Sequence, residues 1–174
     1  VASHGVKKGI IEDDRILAKD IKKLIEEAEQ FLETKITSVA LTIPTIKAKL
    51  YQSDSSISLS ENGSKITSDD IVRVLKLSSK FKRSKDEEVV SIIPVRYHSD
   101  KGATTEAPLG EMSRNLIVDS LIITTSKELL YPYISVVETC GIEVLDITIN
   151  AYACANEAFD AVYLQEGALL IDMG

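Results

Sequence analysis

Asp172-Met173-Gly174 is the stretch whose residue types point to phosphate or metal chemistry. It follows the apolar run Ala168-Leu169-Leu170-Ile171, which reads as a buried strand feeding a tight loop. A carboxylate at the end of such a strand can hold a Mg²⁺-bound water, and a following glycine lets backbone amides approach phosphate oxygens. Most Asp-x-Gly tripeptides are plain turns, so the signal is weak by itself. No catalytic motif stands beside it: the sequence has no GxSxG, HExxH, CxxC or GxxxxGK[ST]. His4 and His98 fall in a loop and at a strand end and read as ordinary surface residues. Cys140 and Cys154 lie on expected helices and read as small buried apolar side chains. Asp13-Asp14 and Asp69-Asp70 read as helix-start acids rather than metal ligands.

The charges are distributed unevenly. Lys80, Lys82, Arg83 and Lys85 form a cationic cluster after an expected helix. Such a cluster either complements the helix dipole, at about 0.3–1 kcal/mol per cation, or meets an acidic partner or anionic lipid. No Lys or Arg follows Lys127, and eight acids fall in that last stretch. It is either largely buried with a few exposed acids, or an acidic surface facing a basic partner. The whole chain carries 20 bases against 27 acids, a net charge of −7. That balance disfavours a nucleic-acid binder, which needs a basic stripe.

The elements that must position these residues follow from periodicity. Residues 6–11 are an apolar-rich strand candidate interrupted by Lys7, Lys8 and Gly9. Asp13 or Asp14 caps a helix whose apolar positions Ile16, Leu17, Ile21, Leu24, Ile25, Ala28, Phe31 and Leu32 return to one side at the 3.6-residue period. Residues 36–43 read as a strand ended by Pro44. Residues 45–51 are a bent continuation or a new edge strand, followed by a serine-rich alternating segment and an Asn62-Gly63 turn. Thr67, with Asp70 three residues on, starts a second helix with Ile71, Val74, Leu75 and Ser78 inward.

Residues 88–98 read as a strand that Pro94 assigns to an edge or a bulge, and residues 99–113 as a loop. Residues 116–125 form a long strand. Ser126 caps a third helix closed by Gly141, in which Pro132 shifts the expected start towards Tyr131. A strand over 142–149, a short helix over 151–159 and a last strand over 168–172 complete the reading. The order fits one α/β domain carrying an α+β insert better than two domains in series.

The 174 residues suit about one domain with a small insert. A content of 44% hydrophobic and 27% charged residues excludes the disordered and collagen-like classes. No apolar run approaches the roughly 20 residues that cross a bilayer. Two cysteines leave no room for a disulfide framework, and a reducing cytosol is the expected compartment. Val1 is not an initiator methionine, and the chain stops on an expected strand. It is therefore read as part of a longer protein.

In order along the chain, several stretches resemble one family. They are residues 3–13, the helix that follows, residues 39–42, Ile66-Thr67-Ser68-Asp69-Asp70-Ile71 and Glu88-Val89-Val90-Ser91-Ile92-Ile93-Pro94. Val137-Glu138-Thr139-Cys140-Gly141-Ile142-Glu143-Val144 and Leu170-Ile171-Asp172-Met173-Gly174 complete the series. The pattern is similar to the bacterial cell-division family FtsA, actin-like ATP-binding proteins. The resemblance implies a ribonuclease-H-like subdomain 1A over residues 1–44 and 148–174, with a strand-helix-strand-strand subdomain 1C inserted at 45–147. It also implies ATP-dependent self-association into filaments at the inner face of the membrane at the septum, anchoring of the FtsZ ring and recruitment of later division proteins through 1C.

By the same resemblance, Asp172 and Gly174 begin the second phosphate loop for ATP and Mg. The first phosphate loop would precede Val1, and the FtsZ-binding part and a membrane-binding helix would follow Gly174. Residues 1–174 alone are then not expected to bind ATP or act as an enzyme. Where the family has a Glu-Pro or similar pair, this chain has Ile149-Asn150-Ala151. Asn150 can orient an attacking water but is no base, so any ATPase activity of the parent is expected to be weak or absent. Residues 108–114 match the family's Gly-Met-Ser-Gly segment only loosely. The expected contact residues of 1C are Lys80, Lys82, Arg83 and Lys85, with the 99–114 loop. The alternatives are an actin-like pilus-assembly protein of the PilM type, a sugar-kinase relative, for which no cleft acid is evident, and a nucleotide-free interaction domain.

Overall fold

The computed structural model describes residues 3–171. The chain divides into two units, Val1–Ala48 with Thr125–Gly174, and Lys49–Thr124.

In the first unit, residues expected to form one strand make a tight hairpin instead. β1 (Val6–Lys7) pairs antiparallel with β2 (Ile10–Ile11). Lys8 and Gly9 between them have φ of 49° and 72°, the left-handed pair that a two-residue hairpin turn requires. A Cβ on Gly9 would stand 2.9 Å from the Pro44 ring, so glycine is needed for space as well as for backbone. Asp13 then caps α1 (Asp14–Leu32), its carboxylate accepting from the Arg15 and Ile16 amides at 3.0 and 2.9 Å. The helix ends where Glu33 turns left-handed. Its inward stripe is narrower than its apolar pattern suggests: Leu17 is buried, while Ile16, Leu24 and Phe31 are exposed.

β3 (Ser38–Ile43) pairs in parallel with β10 (Glu143–Ile149), and the pairing ends on Ile43 opposite Ile149, both buried. A 3₁₀ turn at Thr45–Lys47 follows β3. α3 (Lys127–Thr139) is capped by Ser126, whose hydroxyl accepts from the Leu129 amide. Pro132 does not delay its start. It sits inside the helix, which retains it because Leu129, Leu130, Val136 and Val137 are buried around it. α4 (Asn150–Ala158) and α5 (Ala161–Glu166) are the last regular elements among the described residues. The strand expected at 168–172 is absent from the described residues. Leu169 and Ile171 are 81% and 71% exposed, and no described strand pairs with them. Cys154 is exposed rather than buried.

The second unit is a sheet with one helix packed on it. β4 (Lys49–Ser58) runs antiparallel to β9 (Asn115–Ser126), from Lys49 opposite Thr124 to Ser58 opposite Asn115. β6 (Glu87–Ser99) and the short β7 (Gly102–Thr104) complete the order β4-β9-β6-β7. β7 pairs only with Tyr97 to Ser99, so Pro94 lies on a part of β6 that β7 does not cover. β5 (Ser64–Lys65) and β8 (Met112–Ser113) form a two-stranded side ladder. α2 (Ser68–Ser78) starts in a capping box: the Thr67 hydroxyl accepts from the Asp70 amide, and the Asp70 carboxylate accepts from the Thr67 amide. Val74 is fully buried among Ile57, Ile66, Tyr97, Leu116 and Val118.

The insert is thus shorter than the 45–147 read from the sequence. Residues 125–147 belong with the first unit, because β10 pairs with β3 and α3 packs on α1. Removing two methyl groups in Val74→Ala is expected to destabilise the second unit by about 2 kcal/mol, transfer and cavity together. Thr67→Ala should cost about 1 kcal/mol through loss of the cap. Urea unfolding followed by circular dichroism measures both.

Candidate functional site

Parallel strands present their carboxyl ends at one edge, where ligands of open α/β sheets bind. In the first unit that edge holds Thr45, just past β3, and Asn150, the first residue of α4. The Thr45 hydroxyl donates to Asn150 Oδ1 at 2.5 Å, and the Ala151 amide donates to the same oxygen at 2.8 Å. These bonds hold the carboxamide with its oxygen turned to the protein. Its NH₂ group can donate to a water or an anion but cannot accept a proton. Asp172 and Gly174 lie outside the described residues. Among the described residues no group of His, Cys, Asp and Glu could hold a metal ion. No described helix is long and apolar enough to cross a membrane.

The cationic cluster of the second unit divides in two. α2 ends at Ser78, so only Lys76 stands in its last turn, and Lys80, Lys82, Arg83 and Lys85 occupy the connection to β6. Lys80, Lys82 and Lys85 are exposed. None of them forms an ion pair among the described residues. Arg83 serves the fold instead: it donates to the Ser79 carbonyl at 3.0 Å, pairs with Glu88 at 3.5 Å and lies 5.8 Å from the Phe81 ring centre. The cluster therefore offers three free ammonium groups rather than four cations.

The 99–114 segment is tied down from within. Asp100 accepts from the Arg114 side chain at 2.9 Å, and Ser99 donates to Glu111. The Ser113 hydroxyl accepts from the Asp100 amide. Each histidine faces an acid: His4 meets Asp20 at 2.9 Å and His98 meets Asp119 at 2.8 Å.

The residue that pattern reading misses is Glu87, 7% exposed at the start of β6. Its carboxylate accepts from Lys49 Nζ at 2.5 Å, from the Tyr51 hydroxyl at 2.9 Å and from the Thr124 hydroxyl at 3.3 Å. An acid directly before Glu88 and an apolar alternation gives no hint of burial. The lysine, tyrosine and threonine that satisfy it come from strands distant in sequence. The Lys49 ammonium above all, then the Tyr51 hydroxyl, hold this carboxyl below the usual carboxylate range. The same bond pushes the Tyr51 hydroxyl up.

A carboxyl whose folded value is depressed stabilises the fold above its unfolded value, about pH 4.3 for glutamate, and loses that contribution as pH falls through the folded value. Glu87→Gln should therefore lower stability at neutral pH and flatten its fall below about pH 4.3. Acid titration of both proteins by circular dichroism measures the difference, and parallel acid limbs would contradict this role.

Known proteins match the chain along its whole length. A family profile described as the SHS2 domain inserted in FtsA matches residues 47–124. The cell division protein FtsA of Staphylococcus epidermidis is 31% identical over 175 residues, which cover 99% of the chain and 37% of that relative. FtsA of Streptococcus pneumoniae is 28% identical over 172 residues, covering 99% and 38%. FtsA of Bacillus subtilis is 25% identical over 174 residues, covering 100% and 40%. The chain thus spans about two fifths of the length of these relatives. A chain of a PilM-PilN type IV pilus biogenesis complex superposes with a TM-score of 0.52 at 12% identity, covering 91% of this chain and 40% of that one. That is a likeness of fold, and it agrees with an actin-like α/β architecture carrying an α+β insert. The chain is thus similar along its whole length to cell division proteins FtsA, and its residues 47–124 match the SHS2 domain inserted in FtsA.

Proposed function

We propose that the chain supplies the contact-making part of a cell-division scaffold. In this reading the longer protein polymerises at the inner face of the membrane at the septum, anchors the FtsZ ring and recruits later division proteins. The observation that supports it is a coincidence of boundaries. The SHS2 match at 47–124 covers a self-contained unit, Lys49–Thr124, whose surface carries exposed lysines that lack an ion pair among the described residues. Such a unit is suited to docking rather than to chemistry. Lys80, Lys82 and Lys85 are its contact residues; Arg83 contributes by holding their loop.

ATP with Mg belongs to the longer chain, where Asp172 and Gly174 would begin a phosphate loop. When bound, the nucleotide would supply a phosphoanhydride at that edge. Asn150 fits the edge of such a site, since its NH₂ group has no hydrogen-bond partner among the described residues and could orient a water, and it lacks the basicity to activate one. The PilM-type alternative shares the fold, whereas the residue-level likeness runs to FtsA.

Two measurements test the reading. Isothermal titration calorimetry should detect Mg-ATP binding to the full-length protein and none to residues 1–174. No binding by the full-length protein would leave a nucleotide-free scaffold. Lys82→Glu should weaken self-association or partner recruitment by at least several-fold, read by sedimentation and pull-down. Unchanged behaviour in both assays would remove Lys82 from the contact surface.

A further inference from the structure

We infer that Phe81 is the positioning residue of the lysine loop, seated on the Tyr51 ring, and that the Glu87 carboxylate fixes that seat. This rests on the contact role proposed above and names the groups that set the arrangement of that surface.

The segment between α2 and β6 has no regular structure of its own. Its order comes from residues that alternate in burial. Ser79, Phe81 and Arg83 are half-buried, whereas Lys80 and Lys82 between them are exposed. Each of the half-buried three has a partner. The Ser79 hydroxyl donates to the Lys76 carbonyl at 2.8 Å, and the Ser79 carbonyl accepts from Arg83. These bonds stay within the helix end and the loop. Phe81 instead crosses to the sheet. Its ring lies on that of Tyr51 in β4, with centres 4.8 Å apart and planes tilted by 47°. That separation and tilt suit a favourable aromatic pair.

Tyr51 is fixed in turn. Its hydroxyl donates to Glu87, and Glu87 also accepts from Lys49 and Thr124. A tyrosine side chain swings about χ1, and a hydrogen bond at its far end restrains that swing. A carboxylate as buried as Glu87 is costly without its donors, so it keeps the Tyr51 hydroxyl in place. Lys49 and Thr124 are cross-strand neighbours. The chain of contacts therefore runs from the paired ends of β4 and β9, through Glu87 and Tyr51, to Phe81 and the lysines on either side of it.

The charge and its placement thus belong to different residues. Lys80 and Lys82 carry the cations, and Phe81 keeps them in one arrangement. A loop without such an anchor samples many conformations and scatters its cations among them. Ordering the loop before binding removes that entropic cost from the contact. A substitution at Phe81 or Tyr51 should therefore weaken the contact without removing a cation from it.

The test uses the full-length protein that carries residues 1–174. Hydrogen exchange read by mass spectrometry compares the amides of residues 80–86 with those around Val74 in α2, in Phe81→Ala, Phe81→Tyr and Tyr51→Phe. Phe81→Ala should speed exchange over 80–86 by about two- to tenfold, the loss of one aromatic pair, and leave the amides around Val74 unchanged. Tyr51→Phe keeps the ring and removes only the hydroxyl bond, so it should speed the same segment by less. Phe81→Tyr keeps a ring on Tyr51 and should behave as the unsubstituted protein. In the sedimentation and pull-down assays used for Lys82→Glu, Phe81→Ala should weaken the contact and Phe81→Tyr should retain it. Tyr51→Phe, which removes a single oxygen, carries the comparison should Phe81→Ala disturb folding.

Unchanged exchange over 80–86 overturns the proposal. So does a rise spread evenly over α2 and β4, which marks a general loss of stability. If the loop loosens while association and recruitment hold, and Lys82→Glu still weakens them, Phe81 has no positioning role and the contact role survives. If Lys82→Glu also leaves both unchanged, the contact reading falls and this one with it.

Discussion

The pairing of β3 with β10 is the constraint on which the first unit depends. Parallel strands cannot be joined by a hairpin; the chain must leave the end of one strand and return to the start of the other. Here the return takes in the whole of Lys49–Thr124 and then α3. Its effect is local and chemical. Because the strands run the same way, Thr45 and Asn150 leave the sheet at the same edge, and one hydroxyl-to-carbonyl bond links segments far apart in sequence. Antiparallel pairing would have placed them at opposite ends. The hairpin and α3 then fasten to this pair, with the Tyr133 hydroxyl donating to the Gly9 carbonyl.

Charge is arranged by a different logic in each unit. In the second, one buried carboxylate gathers a lysine, a tyrosine and a threonine, and Asp100 and Glu111 of the 99–114 segment are taken up by Arg114 and Ser99. Lys80, Lys82 and Lys85 stay exposed without an ion pair among the described residues, and so do the acids Asp69 and Asp86 close to them in sequence. In the last part of the first unit the sequence supplies no base after Lys127; Glu128 pairs with the distant Lys47, and Asp160 caps α5. The net charge of −7 conceals this separation. A global figure rules on nucleic-acid binding, whereas the local imbalance bears on which surfaces attract one another.

Features encoded locally are legible in the amino-acid sequence. Asp13, Thr67 with Asp70, Ser126 and Gly141 all mark helix ends where their residue types place them, because a cap needs only the residue and its neighbours. Strands over most of β6 and β9 are legible from their apolar, β-rich runs, while the unbroken length of β4 is not. The features that pattern does not reveal depend on partners remote in sequence or on backbone torsion. Lys8 adopts a positive φ that nothing in its type announces, so the hairpin reads as one strand. Pro132 reads as a helix boundary, yet burial of its neighbours keeps it inside α3. The extent of the insert depends on whom β10 pairs with, which periodicity cannot state. Asn150 stands out through its place in a resemblance, and its hydrogen-bond partner Thr45 only through the fold. Glu87 is invisible to pattern because its burial is created by three strands at once.

The register of β4 against β9 carries a consequence for how such a protein can change. Lys49 and Thr124, the first and last residues of the second unit, are cross-strand neighbours. A segment whose entry and exit lie side by side is a cassette: it can be gained, lost or exchanged as a whole without rethreading the chain that hosts it. Genetic grafting between relatives would need to match only two adjacent strand ends. The host can keep its own sheet while the cassette's outward face diversifies towards new binding tasks.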